Sequence, residues 1–187
     1  MARLPNYASI DIDSPVGQLR ARFCGTRIVG LWHREQRGFP DENQISNDTV
    51  PAHAAAGLRQ WLAQYFAGDE PDEGLITPEI QGTDFAMRVY RALQTLPRGE
   101  MITYGGLARA IGKPRTARAV GRALGANPLL LIVPCHRVVA AHSLGGFAAP
   151  MVIKEFLLTL EGADLCAVKR RELKRPQATD GGLPELT

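Results

Sequence analysis

The run Leu131-Ile132-Val133-Pro134-Cys135-His136-Arg137-Val138-Val139 constrains this chain more than any other stretch. Its apolar start predicts a buried strand or a tight extended segment, and Pro134 stops the regular continuation. A thiol at the end of a rigid segment, beside His136 and Arg137, is placed for nucleophilic chemistry. The reactive form is the thiolate, which nearby positive charge favours. An inert buried cysteine is the plain alternative in an apolar run. The polar residues that follow Cys135 argue against it.

With 187 residues the chain holds one domain or two small ones and can bury a sizeable core. The longest apolar run, Pro128 to Cys135, is too short to span a bilayer, and no N-terminal stretch reads as a signal peptide. Cys24, Cys135 and Cys166 are widely separated and odd in number, which implies no disulfide framework and fits a reducing, cytoplasmic setting. The net charge of +3 is unevenly spread. Residues 1–81 carry 7 Lys/Arg against 11 Asp/Glu, whereas residues 82–162 carry 10 against 4. Only the second segment is suited to a polyanion. A mildly basic domain with no anionic partner would have the same balance.

Residues 7–33 alternate and turn like β structure, with breaks at Ser14-Pro15-Val16-Gly17 and Gly25. They predict a small antiparallel sheet. A polar loop over 34–52 follows. Leu58, Trp61, Leu62, Tyr65 and Phe66 then repeat at helical spacing up to Gly68. The acidic stretch 69–82 marks a domain boundary, giving an N-terminal α/β domain over 1–81, a C-terminal domain over 82–165 and a mobile tail over 166–187. In the second part, Thr83 or Asp84 caps a helix with Phe85, Val89, Leu93 and Leu96 on its apolar face. A short helix over 103–112 and a second over 115–125 come next. A last helix begins near Pro150, with Val152, Ile153, Phe156, Leu157 and Leu160 as its apolar stripe.

The two short helices, the second dense in arginine and alanine, resemble a helix-turn-helix. Arg118 and Arg122 lie four apart and share a face, while Ala117, Val120 and Leu124 suit inward packing. The basic face, with Arg115 before it, fits contacts to phosphates and entry into a base stack. A solvated basic face is the alternative.

Together the cysteine run and the basic helix resemble the O6-alkylguanine-DNA alkyltransferases, the methylated-DNA–protein-cysteine methyltransferases. The resemblance rests on Gly82-Thr83-Asp84-Phe85, Thr103-Tyr104-Gly105, Arg118-Ala119-Val120-Gly121, Asn127-Pro128, Pro134-Cys135-His136-Arg137-Val138 and Leu157-Leu158-Thr159-Leu160-Glu161-Gly162. It covers 82–162, with a weaker likeness through the N-terminal half.

It implies an α+β fold with a ribonuclease H-like N-terminal domain and a mostly helical C-terminal domain containing the helix-turn-helix. It also implies repair of O6-alkylguanine, and of O4-alkylthymine, in double-stranded DNA by a stoichiometric methyltransferase. The catalytic set is then Cys135, His136, Glu161, Asn127 and Tyr104. Cys135 takes the alkyl group, a water links it to His136, Glu161 orients His136, and Asn127 braces the segment. Tyr104, Val138, Phe147 and Ala148 form the base pocket. Arg118, Arg122, Arg115, Ala117, Thr103 and Arg137 face DNA, with Arg118 filling the gap left by a flipped nucleotide.

The family often carries Tyr-Ser-Gly before the last helix; this chain reads Gly145-Gly146-Phe147-Ala148-Ala149-Pro150. Some relatives bind zinc through N-terminal Cys and His residues. Here Cys24, His33 and His53 form no clustered ligand set, so neither metal nor cofactor is expected. A monomer acting on alkylated DNA, away from membranes, is the reading. A lesion binder without chemistry, a transcriptional regulator and an unrelated cysteine hydrolase are the competitors; alkyltransferase-like binders replace the motif cysteine, which is present here.

Overall fold

The computed structural model describes residues 7–40, 49–166 and 168. The tail expected over 166–187 lies outside these residues except at 166 and 168, as does part of the polar loop, 41–48. The architecture is mixed α and β. Strands β1 (Ala8–Ser14), β2 (Gly17–Cys24) and β3 (Arg27–His33) form an antiparallel sheet in the order β1-β2-β3. Ile12 pairs with Leu19 and Ala8 with Phe23, and a register shift at Arg22/Phe23 bends the hairpin to β3. Helix α1 (Ala52–Ala67) buries Leu58, Trp61, Leu62 and Tyr65 in the same core as Leu19, Ala21, Phe23 and Leu31 of the sheet. Each fully buried leucine or phenylalanine among them contributes about 1.5–3 kcal/mol over leaving it in water.

The outer edge of β3 is covered, which protects its unpaired backbone groups. Ile28 N–H donates to Thr77 at 2.9 Å and Ile28 C=O accepts from Glu79 N–H at 2.8 Å. Further along, Leu31 N–H donates to Pro128 at 2.7 Å, and Leu31 C=O accepts from Leu130 N–H at 2.8 Å. The sheet is thereby stitched to the segment that leads to Cys135.

Helix α2 (Asp84–Gln94) starts at Thr83, whose hydroxyl accepts from Ala86 N–H. A two-residue strand β4 (Ile102–Thr103) pairs in parallel with β5 (Val138–Val139). Helix α3 (Tyr104–Ala110) is capped by Thr103, and α4 (Ala117–Gly125) buries Val120, Ala123 and Leu124 while Arg118 and Arg122 stay exposed. Helix α5 (Met151–Leu160) closes the order.

Two local expectations change. The Leu131–Val133 run is a tight turn with a Leu130–Val133 bridge, not a strand, and Leu131 adopts φ 71°. A leucine in the left-handed region is strained; the ladder to β3 and buried packing on both sides hold it there. Cys135–Arg137 form a 3-10 turn, not an extended segment. In α5 the buried face is Ile153, Lys154, Leu157 and Leu158, whereas Val152 and Phe156 are 72% and 40% exposed. Hydropathy alone misplaces the stripe because a lysine occupies the inward face.

Candidate active site

Cys135 is buried at the foot of a cavity of about 200 Å³. Tyr104, Gly121, Leu124, Phe147 and Ala148 line it, with Arg37 at its side. Around the sulfur the backbone is held by Asn127, which is 1% exposed. Its amide Nδ2 donates to Val133 C=O at 2.9 Å and to Cys135 Sγ at 3.2 Å, and its Oδ1 accepts from Leu129 N–H at 3.0 Å. One side chain thus ties both arms of the turn to the thiol.

Burial pushes the Cys135 thiol above its ordinary range, opposed by the Asn127 hydrogen bond and by the charge of Lys154. The resting group is a neutral thiol that requires a base.

His136, fully buried, turns away from the cavity toward the end of α5. Its Nε2 lies 2.8 Å from Glu161 Oε1. Arg137 grips the same carboxylate through Nε at 2.8 Å and Nη2 at 3.0 Å, and Tyr65 O–H donates to Oε1 at 2.7 Å. Gly99 N–H donates to Oε2 at 3.4 Å. Gly99, at φ 78°, approaches so closely that a Cβ there would stand 2.6 Å from Glu161 C=O.

Burial pushes the Glu161 carboxyl up, but the hydrogen bonds from His136 and Arg137 outweigh it and hold the carboxyl well below its usual range. An ionised carboxylate only accepts, so His136 Nε2 carries the proton and Nδ1 is left as a lone-pair acceptor. That Nδ1 is buried and makes no hydrogen bond within the described residues. Burial also pulls the imidazolium pKa below its ordinary value, against the pull of Glu161, so the ring is neutral and basic at Nδ1.

The roof of the cavity is the loop 140–149. Tyr104 O–H donates to Gly146 C=O at 3.1 Å. Gly145, at φ 72°, packs against the Tyr104 ring so tightly that a Cβ would lie 3.0 Å away. Beneath the loop, the fully buried Lys154 donates from Nζ to Val138 C=O and Leu144 C=O at 2.6 Å each and to Gly146 C=O at 3.1 Å. Three carbonyls take all three protons of an ammonium.

The sequence-predicted residues divide in space. Cys135, Asn127, Tyr104, Phe147 and Ala148 converge on the cavity; His136 and Glu161 sit behind it. Val138 is buried, with its carbonyl facing Lys154. Arg118 and Arg122 line an adjoining open groove with Arg37 and Gly121. Arg115 is exposed before α4, Ala117 begins that helix, and the Thr103 hydroxyl is spent on capping α3.

Arg137, expected to face DNA, is turned inward. Its side chain is 11% exposed and locked on Glu161 and on Leu96 C=O, because a buried carboxylate needs a compensating cation more than the surface does. Neither His136 nor Arg137 directs its charge at the sulfur; the cation acting on it is Lys154.

Sequence reasoning missed Lys154, Tyr65 and Arg37. Tyr65 carried only a core signal and Arg37 sat in an unstructured-looking loop, where its N–H in fact donates to Ala148 C=O at 2.9 Å. Among the described residues no group of three His, Cys, Asp or Glu side chains is placed to hold a metal, and no helix is long and apolar enough to cross a membrane. His33 is engaged instead by Val16 C=O at 2.9 Å.

This fold, with a buried cysteine under a basic helix, defines a class that comparison with known proteins identifies. Residues 84–163 match the family described as 6-O-methylguanine DNA methyltransferase, DNA binding domain. A methylated-DNA–protein-cysteine methyltransferase of Mycobacterium tuberculosis is 42% identical over 80% of this chain and 89% of its own length. One from Methanosarcina acetivorans is 48% identical over 81% of this chain and 96% of its own. The crystal structure of the Mycobacterium tuberculosis O6-methylguanine methyltransferase superposes with a TM-score of 0.72 at 40% identity, covering 83% of this chain and 92% of that one. The chain belongs to the methylated-DNA–protein-cysteine methyltransferase family.

Proposed function

We propose that this protein repairs double-stranded DNA by moving the alkyl group of O6-alkylguanine irreversibly to its own Cys135. The carrying observation is the thiol at the foot of a cavity backed by His136 and an ionised Glu161. A solved structure of the Mycobacterium tuberculosis relative, 39% identical, is a complex with DNA. That supports the same partner here.

The target atom lies inside the stacked duplex, so the nucleotide must be flipped into the cavity, at a cost of about a few kcal/mol. Arg118, exposed on α4 beside the cavity, takes the vacated place in the stack, and Arg122 and Arg115 contact phosphates. Helices α3 and α4 then act as a helix-turn-helix, with the N-terminal sheet and α1 as a ribonuclease H-like support. Tyr104 and Phe147 sandwich the base, and Asn127 holds the sulfur under it.

His136 Nδ1 accepts the thiol proton through a water, and the sulfur attacks the alkyl carbon. The bond from carbon to O6 breaks as the thioether forms, and the base takes up one proton and leaves as guanine. In sum, the thiol hydrogen is exchanged for the alkyl group. O4-alkylthymine offers the same electrophilic carbon and fits the same scheme. A thioether has no hydrolytic exit, so each molecule acts once. The free thiols Cys24, Cys135 and Cys166 suit a reducing, cytoplasmic setting.

The test is Cys135→Ala beside the parent protein on duplex DNA carrying O6-methylguanine. The variant should bind that DNA as the parent does, because phosphate contacts dominate affinity, and remove no methyl groups. Full removal by the variant would overturn the reading.

A further inference from the structure

Tyr65 lies on α1, in the other half of the chain from Cys135, yet its hydroxyl ends inside the buried polar cluster. Its O–H donates to Glu161 Oε1 at 2.7 Å and its oxygen stands 3.4 Å from His136 Nε2. The ring cannot swing aside. Trp61 stacks on it at 5.7 Å and 8°, Phe66 meets it edge-on at 5.4 Å, and the Arg98 guanidinium sits 4.9 Å over its face. Arg98 also donates to Tyr65 C=O at 3.2 Å. These contacts form a cage around the ring. It fixes an O–H donor at one oxygen of one carboxylate.

We propose that Tyr65 is a positioning residue for alkyl transfer, setting the basicity of His136 through its hydrogen bond to Glu161. The inference rests on the alkyl-transfer reading above and extends the relay into the N-terminal half. Glu161 Oε1 is shared among His136, Arg137 and Tyr65, so each donor withdraws part of the charge available to the others. Burial raises the Tyr65 phenol far above its ordinary value, and the Glu161 charge raises it further, so the hydroxyl remains a donor at every working pH. His136 is faced by Glu161 and Lys154 of the α5 region, by Arg137 of its own turn and by Tyr65 of α1. Of these, Tyr65 is the neutral group that moderates the carboxylate directly.

Removing the hydroxyl leaves Glu161 a stronger partner for an imidazolium. His136 then holds a proton to higher pH and is unavailable as a base over a wider acid range. The experiment is the single-turnover rate of alkyl transfer to Tyr65→Phe against pH, on alkylated duplex and on free O6-benzylguanine. The expected variant is several-fold slower in acid solution on both substrates, approaches the parent rate as pH rises toward neutral, and binds DNA as the parent does. The phenyl ring keeps the Trp61, Phe66 and Arg98 contacts. Titration of His136 followed by its ring nitrogen resonances gives the same reading without turnover, with an upward shift expected.

A parent rate and profile in the variant, or a deficit equal at every pH, would overturn the role of Tyr65. A parent protein that takes no alkyl group would overturn the proposed function instead.

Discussion

Glu161 Oε1 lies 2.8 Å from His136 Nε2 while Arg137 closes both oxygens of the same carboxylate. This buried triad joins the end of α5 to the turn that carries Cys135. Glu161→Gln removes the charge and leaves Arg137 without its counterion in a nearly closed site. Breaking a buried pair in this way costs about 3–5 kcal/mol. Urea unfolding should register that loss, together with a slower alkyl transfer. An unchanged unfolding midpoint would contradict the triad's structural role.

The same carboxylate makes stability depend on acid. Burial opposes ionisation, yet His136 and Arg137 hold the folded carboxyl below its ordinary value. Below the unfolded glutamate pKa of about 4.3 the unfolded chain therefore binds more protons. The contribution is complete above that pH and is lost as pH falls toward the folded value. Thermal unfolding across this range should show the gap between parent and Glu161→Gln narrowing as acid is added.

Lys154 gives the opposite limb. Burial lowers its ammonium to about 8, close to neutral conditions. Its lost proton leaves two donors for three carbonyls and takes away the positive charge that acts on the Cys135 sulfur as pH rises through about 8. Alkyl transfer should fall there although thiolate formation favours the opposite trend. Lys154→Met should be slow at all pH values, on duplex and free base alike, with no such basic limb. A wild-type rate that climbs steadily through pH 9 would contradict this.

Arg118 is exposed on α4 at the groove beside the cavity. Arg118→Ala should slow repair in duplex DNA by about tenfold or more, given the few kcal/mol that unstacking costs. Reaction with free O6-benzylguanine, which needs no extrusion, should stay near the parent rate. Equal losses on both would remove Arg118 from nucleotide flipping.

Much of the site is legible in the sequence because it is local. Asn127, Cys135 and His136 lie within ten residues, and Asn127 hydrogen-bonds directly to Val133 C=O and Cys135 Sγ across the turn between them. The helices over 84–94 and 117–125 follow from apolar spacing and caps. What escapes is set by tertiary contact. Tyr65 reads as one more apolar repeat until α1 docks it on Glu161. Lys154 reads as solvated until three loop carbonyls surround it, and it displaces Val152 from the inward face of α5. Arg137 reads as a surface cation because nothing in its neighbourhood announces a carboxylate 24 residues away. The Leu131 turn escapes because leucine carries no signal for positive φ; the backbone ladder to Leu31 imposes it.

The most direct measurement is the intact mass of the protein after incubation with duplex DNA carrying O6-methylguanine, followed by peptide mapping. The account predicts the mass of one methyl group in place of one hydrogen, located on Cys135 and saturating at one per molecule. Tight binding to that DNA with no gain in mass, or a methyl group on Cys24 or Cys166, would contradict it.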